Sequence, residues 1–572
     1  VLGYRSLDLV GHVWTLAVAA RQLDPTRTDM AAYPVGVDLL PILGGWLDIF
    51  VGSGLVRLFE LSPAFAYNLV LVGYFGVAGL GGWALARALG ASEGAALLAG
   101  LLLQLDGFPL WHATGGRVEQ VGLGFVALAL ALVLRLRRGG GPGLSVATGL
   151  AGTLVVFVSW EHGFTLALGM LWLCPFLLSG LRSGLPSVGV APGALRRLGL
   201  AALTTLLTAG PWAWLFVRRT AAVRDLHEGQ TLVGWAVRES MPLLRWFTVE
   251  PVRPSLLVFC SLFLVPWTAP RRDRRLWVGI GGLLIFTLLL SLGPRPALWE
   301  EDDLGGQIPG LWSVFQALPV LGWFHTPARL LYGWDLAAVV AAALLVDRLA
   351  AALRDRPQLG VGARRALVGA LVAALLGGAG LHVWRGQLWL EPGWMVRGSA
   401  PLVALGQEPG AGAVLDLPPV PAGVSAMSYT ADQLVHGRPI PYHMTLAHLT
   451  TEPMSGLYGE LALIRWSWTL RDGADLSLAP ATFAPDLARL YADGFRFIVL
   501  HPAEVEEASR REVTRLFLDR LGVPEGNVPR RWIGWRIPAP SAPAILPASN
   551  PPSAAQPPLP SADERVPDPP LE

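Results

Sequence analysis

"SPAFAYNLVLVGYFGVAGLGGWALARALGASEGAALLAGLLLQLDGFP", residues 62–109, contains two apolar runs, roughly 64–87 and 92–109, with a short break at Arg87. Each run is near the length one helix needs to cross a bilayer. Outward from this pair the pattern repeats, at 118–136, 144–160, 162–181, 198–217, 255–270, 276–293, 329–350 and 366–385. Ten apolar segments of this kind make the chain a polytopic α-helical membrane protein. The fourth and fifth are separated only by "WEHG" and read as a tight hairpin.

Composition agrees. Apolar residues make up 53% of the 572 and charged residues 15%, with a mean hydropathy of +0.48. The formal net charge of +2 says little about partners, and nucleic acid is not expected among them. Lysine is absent, so every fixed positive charge is an arginine. Cys174 and Cys260 lie inside apolar runs, which implies neither a disulfide framework nor a zinc site.

The arginines set the orientation. Arg87, Arg135, Arg137, Arg138, Arg182, Arg196, Arg197, the "RRDRR" at 271–275 and the arginines of 347–365 all fall in every second connection. Short basic loops stay cytoplasmic, so 110–117, 160–162, 218–254, 294–328 and everything after 385 are expected outside. Residues 1–63 are then outside as well, and one further span upstream is expected, eleven in all. Residues 7–20, "LDLVGHVWTLAVAA", read as an amphipathic helix along the membrane interface, with Trp14 at headgroup depth. That first outer loop also holds Asp24, Asp29, Asp38 and Asp48.

Beyond 385 the apolar runs stop and an α/β pattern begins. "GAVLDLP" reads as a strand, and "GFRFIVLHPAEVEEASRREVTRLFLDRLGVP" as a strand followed by a helix. That helix is expected to bury Val505, Ala508, Leu516, Phe517 and Leu521, with Glu504, Glu507, Arg511 and Arg515 on its wet side. "RRWIGWRI" reads as a final strand. The expected organisation is a membrane domain over 1–385, an extracytoplasmic α/β domain over 386–537 and a Pro-rich disordered tail over 538–572.

Candidate chemistry lies on the outer side. Asp8 and His12 are one helical turn apart, suited to a general base at the membrane surface; the polar face of an interfacial helix explains the same spacing. Asp106 and Glu119 sit at span ends, where an ionisable group is costly unless it faces water or a cavity. Glu161 and His162 in "EHG" could line that cavity, or simply emerge in a turn. His325 and Arg329 stand at the outer mouth of a late span, where Arg329 could grip a phosphate or reach lipid headgroups. Asp335 lies deeper and could pair with an outer arginine or line the cavity. No P-loop, dinucleotide-binding glycine motif, HExxH or CxxC pair occurs.

The layout resembles the GT-C superfamily of membrane glycosyltransferases, in a bacterial branch with a C-terminal extracytoplasmic domain. "LDLVGHVW" is similar to the family's first-loop acid and the aromatic helix after it, and "YPVGVDLLP" to its Pro-x-Gly loop. The 62–109 pair, "FHTPARLLYGWDLAAV", "ADQLVHGRPI" and "YADGFRFIVLHP" resemble further family stretches. The resemblance implies a bacterial inner-membrane enzyme that moves a sugar from a polyprenyl-phosphate donor to an acceptor on the outer face. It implies Asp8 as the catalytic acid, Asp106 or Glu119 as a second-loop acid, and Arg329, with Arg218 and Arg219, as phosphate ligands. His12 and His325 would support them. His325 stands where the family often has arginine. The second loop carries no Asp-x-Asp, which weakens the case for a metal-dependent mechanism; a divalent cation stays open as a cofactor, with no residue assigned to hold it. Two rival readings are a lipid or glycan transporter, which would place ionisable groups at mid-depth in repeated halves, and a non-catalytic scaffold.

Overall fold

The computed structural model describes residues 7–40, 43–178, 193–224, 240, 255–268, 271–296, 309–316, 326–356, 358–386, 400–410, 412–420, 427–442, 454, 456–473, 475–528 and 532–539. Over the described residues, each of the ten expected apolar segments is mostly helical, with 92–109 and 118–136 each divided between two helices. Among the described residues, six helices are long and apolar enough to cross a membrane: Pro63–Ala88, Glu93–Thr114, Val118–Arg138, Ala194–Arg219, Pro327–Arg354 and Val361–Arg385. The chain is a polytopic α-helical membrane protein.

The first helices are α1 (Leu7–Arg21), α2 (Leu47–Phe59), α3 (Pro63–Ala88), α4 (Glu93–Gln104), α5 (Gly107–Thr114), α6 (Val118–Val121), α7 (Leu123–Arg138), α8 (Pro142–Val158), α9 (Trp160–Leu178) and α10 (Ala194–Arg224). Ser62 caps α3 by accepting from Phe65 N, with Pro63 in the first turn, and Ser92 caps α4 the same way. Small residues let these helices touch backbone to backbone. A Cβ on Gly81 would lie 2.3 Å from Gly124 O, and one on Gly124 would lie 2.4 Å from Ala78 Cα. Close approach of this kind replaces the hydrophobic drive that helices lack in lipid. Their outward side chains, such as Leu69, Val72, Leu80 and Leu97, are exposed and apolar.

α1 departs from expectation. Instead of lying along an interface with one apolar face, it buries Leu9, Val10, Val13, Trp14, Leu16, Val18 and Ala19. The reason is that it has partners on two sides. One side packs with Tyr67, Leu71 and Val118 of the membrane helices, and Ala431 of the C-terminal unit joins the same cluster. The Trp14 indole donates to Gln433 at 2.6 Å rather than reaching a headgroup.

Two short strands in the first outer loop, β1 Arg27–Thr28 and β2 Val37–Asp38, pair antiparallel, and the C-terminal unit holds a four-stranded sheet of order β3-β4-β6-β5, with β3 Ala413–Leu417, β4 Phe495–Leu500, β5 Gly526–Val528 and β6 Trp532–Arg536. β3 and β4 run parallel, and the other pairs are antiparallel. All five residues of β3 are buried, as a strand covered on both faces requires. The helix after β4 begins later than expected, at Arg510. Pro502 opens a separate short turn and Ala508 is exposed, while Val513 and Phe517 carry the buried face. The first segment docks on this unit: Tyr33 N donates to Ile440 O and Ile440 N to Met30 O. Gly494 has φ +97, and a Cβ there would lie 2.1 Å from the Tyr33 hydroxyl, so this contact needs a glycine. Residues 540–572, expected to form a tail, lie outside the described residues.

Candidate active site

α6 is a single turn between two membrane helices, and its sequence "RVEQ" at 117–120 aims three side chains at three partners. Arg117 Nε donates to Asp8 Oδ2 at 2.6 Å. Glu119 Oε2 pairs with His12 Nε2 at 3.0 Å. Gln120 Nε2 donates to Glu161 Oε2 at 2.9 Å. The second loop thus ties α1 to the start of α9.

The backbone beneath is fixed by two glycines. Trp46 N donates to Phe157 O at 2.7 Å and Trp160 N to Gly44 O at 3.0 Å. A Cβ on Gly45 would lie 2.0 Å from Val158 O and 2.9 Å from Glu119 Cβ. Only a bare backbone fits between the α8–α9 corner and Glu119.

His12 is held from both ring nitrogens. Nδ1 donates to Asp48 Oδ2 at 2.9 Å, opposite the Glu119 contact, and only 12% of the side chain is exposed. Burial alone would pull the imidazole pKa down. The contacts with Asp48 and Glu119, and the charges of both, outweigh it and hold His12 well above the ordinary histidine value. The group is therefore a cation between two carboxylates.

A second cluster centres on Glu161. Arg329 Nη1 donates to Glu161 Oε2 at 2.8 Å, and the Thr326 hydroxyl donates to Oε1. Arg329 is near enough to act electrostatically on Glu119 and His112 as well. Next to this pair the His162 and Tyr332 rings lie 4.6 Å apart. Tyr332 and Thr165 also line a cavity of about 150 Å³, whose other walls include Leu85, Val126, Leu166, Met170, Trp277, Leu284 and Leu336. Apart from threonine hydroxyls and the Tyr332 ring, that lining is apolar.

The expected site residues are only partly brought together. Asp8 and His12 share a helix but part company, Asp8 going to Arg117 and His12 to Asp48 and Glu119. Glu119 and Arg329 lie in the clusters just described. Asp106 does not: it caps α5 by accepting from Phe108 N at 3.0 Å and is buried beside Asp335. Asp335 is not paired with an outer arginine. Its two oxygens are buried without a hydrogen-bond partner among the described residues. Arg219 holds Thr26 and Asp38, at 2.8 and 3.1 Å, and Arg218 stacks over Trp214, so both serve the surrounding segments rather than the Glu161 cluster. His325 lies outside the described residues. Asp48 and Glu161 are the residues the sequence underrated. Asp48 was one of five aspartates in its loop, whereas Glu161 carried a usable signal as an ionisable group wedged between two spans. Among the described residues no group of three or more His, Cys, Asp or Glu is placed to hold a metal ion.

No protein-family model and no curated protein matches the chain. Among solved structures it is similar to the arabinofuranosyltransferase AftD from mycobacteria, at a TM-score of 0.58 and 14% identity over 94% of this chain and 38% of that one. It therefore spans 38% of the length of that relative. ArnT from Cupriavidus metallidurans, bound to undecaprenyl phosphate, gives a TM-score of 0.48 and 16% identity, covering 93% of this chain and 98% of that one. The oligosaccharyltransferase AglB from Archaeoglobus fulgidus gives 0.47 and 12%, covering 87% and 66%. The fold is GT-C-like.

Proposed function

We propose that the chain is a membrane glycosyltransferase that moves a sugar from a polyprenyl-phosphate donor to an acceptor at the extracytoplasmic face of a bacterial inner membrane. The observation that carries this reading is the apolar cavity beside the Glu161–Arg329 pair. Thr165 lies four residues, about one turn, after Glu161, and Tyr332 three residues after Arg329. A lipid tail in the cavity therefore delivers its phosphate to the guanidinium. An apolar space of this size stays dry and accepts an apolar guest, and arginine is suited to a phosphate through its fork of donors.

Asp8 supplies the base. Its side chain is 40% exposed, open to an incoming acceptor and steadied by Arg117. In the step proposed, the acceptor oxygen attacks the anomeric carbon and its proton passes to Asp8. The bond from that carbon to the phosphate oxygen breaks, and polyprenyl phosphate leaves with the electron pair. Arg329 offsets the charge that develops on the leaving group. Attack opposite the phosphate inverts the anomeric centre. Glu119, His12 and Asp48 hold together the first and second loops, which carry Asp8 and Arg117.

The test is to incubate the chain in nanodiscs with a panel of polyprenyl-phosphate sugars and a cell-envelope extract as the source of acceptor, and measure release of the lipid phosphate. Release that disappears in Asp8→Asn supports the assignment, and release unchanged by that substitution overturns it. The buried Asp106–Asp335 pair favours a transporter instead, because buried acids inside a membrane mark ion paths. On that reading Asp335→Asn abolishes function and Asp8→Asn does not.

A further inference from the structure

The stretch "ADQLVHGRPI", 431–440, has no part in the chemistry above. Yet Asp432, Gln433, His436 and Arg438 are all at most 6% exposed. Such burial of polar groups is costly unless their hydrogen bonds are made. Gln433 makes all of its own. Its oxygen accepts from the Trp14 indole at 2.6 Å, while its nitrogen donates to Arg438 O and to Met30 O. Both donors of the amide and its oxygen are thereby engaged, and here they join α1, the loop at Met30 and the chain leading to Ile440.

That corner is in turn fixed to the body of the C-terminal unit. The Arg438 guanidinium donates to the carbonyls of Leu405, Glu408, Gly410 and Gly412. At the far end of α1, Gly437 has φ +65, and a Cβ there would lie 2.5 Å from Arg21 Nη1. α1 is thus gripped at its middle and at its end.

Trp14 follows His12 by two residues, so the two side chains leave α1 roughly 200° apart. One side of the helix carries His12 to Asp48 and Glu119, and the opposite side carries Trp14 to Gln433. The geometry leaves little slack. A rotation of about 20° would move a side-chain tip about 2 Å, given a helix radius near 6 Å with side chains. That is enough to break contacts of 2.9 and 3.0 Å.

We propose that the 431–440 segment is a positioning element for the membrane site: Gln433, by gripping Trp14, fixes the rotation of α1 and so sets His12 between its two carboxylates and Asp8 against Arg117. It deepens the reading given under Proposed function and rests on it for the role of those residues, but the coupling itself is measurable with no sugar donor present.

The experiment uses the whole chain in lipid nanodiscs, with two variants and a control. Trp14→Phe keeps the ring packing and removes the N–H, and Gln433→Ala removes the amide. Phe517→Leu loosens the C-terminal core away from α1. Two signals are read: the titration of His12 by nitrogen-labelled histidine resonances, assigned with His12→Asn, and amide exchange over 7–21. The groups that face His12 are Asp48, Glu119 and Tyr67, with the Asp8–Arg117 pair a turn away and Arg329 acting through Glu119. The expected result is that both variants lower the His12 midpoint towards the ordinary histidine value and speed exchange over 7–21 about tenfold, while Phe517→Leu does neither. Unchanged signals in Trp14→Phe overturn the proposal, as do equal changes in Phe517→Leu, which would mean general loosening. Should Gln433→Ala fail to fold, Trp14→Phe decides alone. Failure of the donor assignment would leave both signals intact, so the two ideas fall separately.

Discussion

Glu119 meets His12 at 3.0 Å across the junction between the second loop and α1. With Asp48 at 2.9 Å on the other ring nitrogen, a protonated imidazole joins two carboxylates from separate segments. The folded chain therefore holds this proton more tightly than the unfolded chain does. The stabilisation is complete below the ordinary histidine value of 6.5 and is lost as pH rises through the raised folded value. Thermal unfolding midpoints should fall over that alkaline range. His12→Asn should lower stability by about 3 kcal/mol at pH 6 and flatten the dependence. A profile as steep in the variant as in the parent would remove His12 as its source.

Arg329→Lys keeps the charge beside Glu161 and loses the planar fork. Affinity for a short-chain polyprenyl phosphate should fall about tenfold, equal to ~1.4 kcal/mol. Titration of the lipid into nanodiscs measures it, and equal affinities would free Arg329 from the phosphate role.

Asp8→Asn should leave that lipid affinity within about twofold and reduce the transfer rate by about 10²-fold or more, the scale of a lost general base. A fall in binding with no change in the single-turnover rate would assign Asp8 to substrate binding instead.

Gly45→Ala places a methyl against Val158 O. Overpacking of this kind costs about 1–3 kcal/mol, and here it also pushes Glu119 away from His12. The unfolding midpoint should drop and the His12 resonance should shift. Gly54, whose Cβ would meet nothing within 4 Å, supplies the control.

The membrane helices were legible because hydropathy at bilayer length is a local property, as in 62–109, where two apolar runs became α3 and the α4–α5 pair. Glu119 and Arg329 were legible for a related reason, since charge at the end of an apolar run is conspicuous. Asp48 was not, and Glu161 was underrated, because each matters through a partner 36 or 168 residues away along the chain. α1 was misread for the same cause. Its composition suits a membrane surface, and only contact with Gln433, 419 residues from Trp14, shows that a protein surface covers it. Asp8 and His12 were read together as one candidate, yet each side chain has opposite charges of its own, Arg117 for Asp8 and Asp48 with Glu119 for His12.

The most direct measurement of the central claim is native mass spectrometry of the chain extracted gently from its own membrane. A co-purifying polyprenyl phosphate or its sugar adduct, lost in Arg329→Ala and kept in Asp8→Asn, is the predicted result. Bulk phospholipid alone, unchanged by either substitution, would contradict the transferase account.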